Sequence, residues 1–177
     1  MAEEEKEIED VKVELDLSGG ESFIDKIVNF KGRILYGVPQ DTAARAEDKD
    51  GKAVANNAQL LAIHEHGSPI RNLPPRELLE PVAKKHQKEI EETFNSVFNA
   101  LIEGDEAGAD TLMRTLALKL ETWCKAYFRQ DNGWEPDKPE TIRAKNKRAG
   151  KPPNAPTTTL IDTGELRKSI RGVYLKD

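Results

Sequence analysis

Two apolar stripes at helical spacing, joined by a turn of a few residues, constrain this chain more than any other feature. Leu78, Val82, Ile90, Phe94, Val97, Phe98 and Leu101 fall on one side of a 3.6-residue period, and Gly104 ends that run. Residues 105–108 make a turn. Leu112, Met113, Leu116, Leu120, Trp123, Cys124, Tyr127 and Phe128 then continue at spacings of three and four. So short a connection makes the two helices antiparallel neighbours. Pro74 and Pro75 precede the first helix, and Pro81 fits only its opening turn, where a missing N–H has no partner to lose. The aromatic residues of the pair read as core packing.

Weaker patterns surround the pair. Val11, Val13, Leu15 and Leu17 alternate with Lys12, Glu14 and Asp16, the period of a strand with one buried face. Residues 33–38 (RILYGV) and 170–175 read as two further strands, and residues 23–30 as a short helix. Residues 40–57 are small and polar, with an Asp-Lys-Asp-Gly turn signal, and read as an exposed loop or arm that is mobile or reaches a neighbour. Short helices are expected over 58–66, 140–149 and within 160–171, the last with Asp162 or Thr163 as its N-cap. The expected fold is therefore α+β: a small antiparallel sheet of three to five strands packed against two long antiparallel helices. Residues 1–10 form an acidic leader, read as disordered, and residues 11–177 a single domain.

Charge narrows the function. The net charge is -5, and the leader holds Glu3, Glu4, Glu5, Glu7, Glu9 and Asp10 against one lysine. An acidic chain is a poor grip for a phosphate backbone, because there is little counterion release to drive binding. The basic run at 143–151 has no aromatics for base stacking and reads as a solvated face or a contact for an acidic partner. With one cysteine, Cys124, no internal disulfide can form; in its apolar setting it reads as a buried small hydrophobe. No signal peptide and no membrane-spanning run is visible, so the reading is a chain made in a reducing cytoplasm with no membrane partner.

Little in the sequence builds an active site. His64-Glu65-His66 is the one cluster that invites a metal, yet side chains two apart on a helix diverge, and helical metal sites use spacings of three or four. There is no phosphate-cradling glycine loop, no nucleophile elbow and no Cys–His arrangement. The expectation is no catalytic residue, no metal and no cofactor.

Three segments carry a resemblance. Residues 61–79, LAIHEHGSPIRNLPPRELL, resemble a stretch of tailed-bacteriophage neck and minor tail proteins (tail completion, tail terminator or virion morphogenesis proteins) in which His-Glu-aromatic-Gly leads through a loop to Pro-Pro-Arg. Thr141-Ile142-Arg143-Ala144-Lys145 is similar to a Thr-Ile-x-x-Lys motif of that family, and residues 160–170, LIDTGELRKSI, to its C-terminal signature. The resemblance runs from 33 to 173. It departs at His66, where the family has an aromatic, and at Glu77, where it has a proline.

The resemblance implies a structural virion protein, assembled in the bacterial cytoplasm and acting at the head–tail junction. It would close or complete the tail and join it to the head connector, as a self-assembled ring, hexameric in the family. Its partners would be other copies, the tail tube, the head connector and genome DNA passing through an acidic lumen without specific binding. The alternatives are a head-side stopper or adaptor and, from another class, a metal-dependent DNA-processing enzyme. Within the motifs, His64, Glu65, Pro74, Pro75, Arg76, Thr163, Leu166 and Ser169 are the candidate subunit or partner contacts. Arg76, badly placed at a positive helix end, is expected to pair with a carboxylate elsewhere.

Overall fold

The computed structural model describes residue 25 and residues 27–44, 55–130 and 132–176. The acidic leader, the strand expected over 11–17 and the middle of the 40–57 loop lie outside these. Along the chain come β1 (Gly32–Gly37), α1 (Asn57–His66), α2 (Leu79–Lys85), α3 (Gln87–Ile102), α4 (Glu106–Tyr127), α5 (Pro139–Arg148), α6 (Glu165–Ser169) and β2 (Arg171–Lys176). Residues 25 and 27–29 are also helical. The α+β class holds, with two strands among the described residues where three to five were expected.

The helix pair is the scaffold. Asp105 begins α4 by accepting the Gly108 N–H at 2.8 Å, the side-chain cap that relieves an orphan donor of the first turn. Val97, Leu101, Ala109 and Met113 close the turn end of the pair as one buried cluster. At the other end Leu61, Leu78, Val82, Cys124, Phe128, Leu166 and Ile170 form a second. The expected first long helix is in fact two: α2 and α3 meet at His86, whose backbone (φ -107°, ψ 14°) leaves the helical region. There the imidazole stacks on Trp123 of α4, ring centroids 3.9 Å apart and planes within 2°. Periodicity could not register this break, because the apolar stripe runs through it in phase. Pro81 does fall in the first turn of α2.

β1 and β2 pair antiparallel, Leu35 opposite Val173 and Tyr36 opposite Gly172. A two-stranded ribbon is marginal alone and is held here by docking on α4. Gly172 makes the close approach possible, since a Cβ there would lie 1.8 Å from the Ala117 carbonyl oxygen. Ile34 and Tyr174 pack on the turn-end cluster, while Leu35 and Val173 face outward, 54% and 36% exposed. Phe94 and Phe98, expected in the core, are instead 46% and 48% exposed and form with Ile102 a second half-exposed apolar stripe along α3.

The 40–57 loop is anchored at both described ends. The Asn57 N–H donates to the Ala43 carbonyl at 2.8 Å, and the Thr42 hydroxyl to the Ser169 carbonyl, also at 2.8 Å. Among the described residues, no helix is long and apolar enough to cross a membrane.

Candidate functional site

The three motif segments come together around one cavity of about 340 Å³, lined by residues from α1, the 73–76 stretch, the 135–138 linker, α5 and the approach to α6. A larger groove, about 500 Å³, lies across α3 and α4, but its walls are mainly solvated charged and polar side chains such as Lys88 and Glu92.

The first segment folds back on itself. Gly67 (φ +71°) turns the chain after α1 where a Cβ would meet the Leu73 carbonyl oxygen at 2.9 Å, so a side chain is excluded as well as strained. Ser68 and Leu73 then bridge in antiparallel fashion. The Arg76 N–H donates to the His64 carbonyl at 2.6 Å, closing the loop. Glu65 turns the other way: one carboxylate oxygen accepts the N–H groups of both Leu78 and Leu79 at 2.9 Å, capping α2, which has no side-chain cap of its own. His66 is exposed. The consecutive residues of His64-Glu65-His66 thus take three different environments, as their helical spacing predicted. Among the described residues, no three His, Cys, Asp or Glu are arranged to hold a metal ion.

The expected carboxylate partner of Arg76 is Asp137, though at 3.9 Å, too long for a hydrogen bond. The guanidinium instead donates to the Glu135 carbonyl at 3.2 Å. Asp137 bonds Lys145 Nζ at 2.6 Å, and Lys145 also donates to the Thr158 carbonyl at 2.9 Å. The side chains of Arg76 and Lys145 are each 9% exposed and that of Asp137 6%. Lys145 therefore corrects the reading of 143–151 as a solvated face. Next to it, buried Asn146 donates to the carbonyls of Pro153 and Ala155, tying the proline-rich segment to α5. Asp137 and Asn146 carried no sequence signal; the final residue of Thr-Ile-Arg-Ala-Lys was the only pointer to Lys145.

His64 lines the same cavity, and burial, then the neighbouring Arg76 guanidinium, hold its imidazole below the ordinary histidine range. His64 Nδ1 and Arg76 Nε are buried without a hydrogen-bond partner.

The third segment supplies a wall. The N-cap of α6 is Gly164 in the left-handed region (φ +78°), where Asp162 or Thr163 was expected. Asp162 is drawn away into an ion pair with Arg148 at 2.6 Å, and the Thr163 hydroxyl accepts the Glu165 N–H at a long 3.4 Å. Leu166 and Ser169 are buried, Ser169 donating to the Leu166 carbonyl at 2.8 Å. Of the eight candidate contacts, Arg76, Leu166 and Ser169 are buried within the chain, Glu65 caps a helix, and His64, Pro74 and Thr163 line the cavity with Arg76 and Leu166. Pro75 packs behind Gly67. Comparison with family models, with curated proteins and with solved structures gives no match.

Proposed function

We propose that this chain is a non-enzymatic structural subunit of a tailed-phage virion that acts at the head–tail junction, closing or completing the tail as a ring of identical copies. One observation carries the reading: three segments that resemble the phage neck and minor tail family, in the family's order, are also the segments that interlock around a single cavity. Their geometry supports a role as fold determinants of one unit, through the Glu65 cap, the Arg76–Asp137–Lys145 cluster and the buried Leu166. The outward apolar residues Leu35, Val173, Phe94, Phe98 and Ile102 suit burial against other copies or tail proteins, since single-chain surfaces seldom line up large apolar side chains. An excess of negative charge suits a lumen that DNA crosses without being held.

The test is a deletion in a phage that encodes the protein, with mass spectrometry and immunogold microscopy of wild-type particles. The expected outcome is labelling at the neck and, in the deletion, filled heads and tails that fail to join. Particles that lack the polypeptide while the purified chain turns over a substrate would refute the proposal.

A further inference from the structure

We propose that the cavity where the motif segments meet is an oxyanion site, taking a carboxylate or phosphate group on Arg76 and Lys145 with His64 beside them. The inference stands on the geometry and does not depend on the function proposed above. An arginine has five N–H donors, and one whose side chain is 9% exposed normally has most of them engaged. Among the described residues its guanidinium makes one hydrogen bond, to the Glu135 carbonyl, beside the long 3.9 Å approach of Asp137. Its Nε and the adjacent His64 Nδ1 are buried without partners although both side chains line the cavity.

Charge points the same way. The buried floor holds two cations, Arg76 and Lys145, against one carboxylate, Asp137, which bonds the lysine at 2.6 Å and stands 3.9 Å from the arginine. A buried guanidinium that shares its one close carboxylate with a lysine is only partly neutralised, and that is costly. An oxyanion accepting from the part of the guanidinium that faces the cavity would complete its neutralisation, with the sealed Nε and His64 Nδ1 reporting its arrival. An apolar ligand would leave that neutralisation incomplete, and a cation would add to the excess charge. At the mouth Arg148 is paired with Asp162 at 2.6 Å, and the exposed Lys138 and Glu135 are opposite in sign, so exposed charge there opposes entry weakly.

The experiment uses the full-length protein, titrated at constant ionic strength with inorganic phosphate, with acetate and with a synthetic peptide of residues 1–10. Nuclear magnetic resonance follows the arginine Nε–H and histidine ring signals, and thermal unfolding follows stability. The expected result is a saturable response to at least one probe in which the Arg76 and His64 signals move together, with a rise in Tm. Arg76→Lys should weaken binding about tenfold or more, because a point charge replaces a fork, whereas Lys147→Gln, exposed on α5, should leave it unchanged. Response to phosphate alone assigns a phosphate source, and response to acetate or peptide a carboxylate. The proposal is overturned if no probe gives saturable shifts at Arg76 and His64, a measurement on the wild-type chain that survives any folding defect in the variant. It is equally overturned if folded Arg76→Lys binds as tightly as wild type.

Discussion

Replacing Gly172 by alanine tests the account of how the sheet is held. The added Cβ would stand 1.8 Å from the Ala117 carbonyl oxygen and 2.7 Å from its carbon, where real contacts essentially never fall below 3.0 Å. Both obstacles are helix backbone, so no side chain can swing aside. β2 must lift from α4 by roughly 1 Å, and overpacking of this kind costs about 1–3 kcal/mol or more. The lift also stretches the bond from the Gly172 N–H to Glu121, 3.1 Å in the native chain, and loosens Tyr174, whose hydroxyl donates to Asp110 at 2.7 Å. We expect about 3 kcal/mol of lost stability, a Tm drop of roughly 6–12 °C for a chain this size. Urea and thermal unfolding followed by tryptophan fluorescence would measure it. Gly150→Ala is the control: φ is +64° but nothing lies within 4 Å, so it should cost only about 1 kcal/mol of backbone strain. A Gly172→Ala protein within 0.5 kcal/mol of wild type, or one no worse than Gly150→Ala, would refute the close-contact argument.

Three further outcomes are expected. Glu65→Ala removes the acceptor of two N–H groups at the start of α2 and should cost about 1–3 kcal/mol, while Glu65→Gln, which keeps an oxygen there, should recover much of it in the same unfolding assay. The Cys124 thiol is pushed up to about 12 by burial, then by the nearby Glu65 charge, so a thiol reagent at pH 8 should label it only as the chain unfolds; native labelling at the rate of a free cysteine would contradict its burial. His64 is held below its ordinary value of 6.5, so the unfolded chain binds more protons as pH falls past that value; its stabilisation is complete above about pH 6.5 and is lost as pH falls through the folded value. His86 is lowered too, so the measure is the stability slope between pH 7 and 5 that His64→Gln removes; an unchanged slope would contradict the burial of His64.

Much of the fold was legible because it repeats locally. The stripes of α3 and α4, the turn at Gly104, the confinement of Pro81 to a first turn and the places of β1 and β2 are local patterns that helical periodicity and chain-breaking residues expose. The site was legible only in outline. Pro74-Pro75-Arg76 and Asp162-Thr163-Gly164-Glu165 marked its edges, but nothing in Asp137 distinguished it from any other solvated carboxylate. The cap position of α6 differs because the helix starts after Gly164 in the left-handed region, beyond both candidates, and Asp162 pairs with Arg148, a residue 14 positions away.

By itself, then, the sequence determined an antiparallel helix pair, the places of the two strands that pair, a polar α5 and a net charge of -5. Tertiary structure alone decided that the helix before Gly104 breaks where His86 meets Trp123, that a glycine in the last strand lies against helix backbone, and that Lys145 is buried beside Asp137 and Arg76. The reason is one of range. Backbone periodicity is written residue by residue, whereas the desolvation of a charge depends on which distant segments close over it.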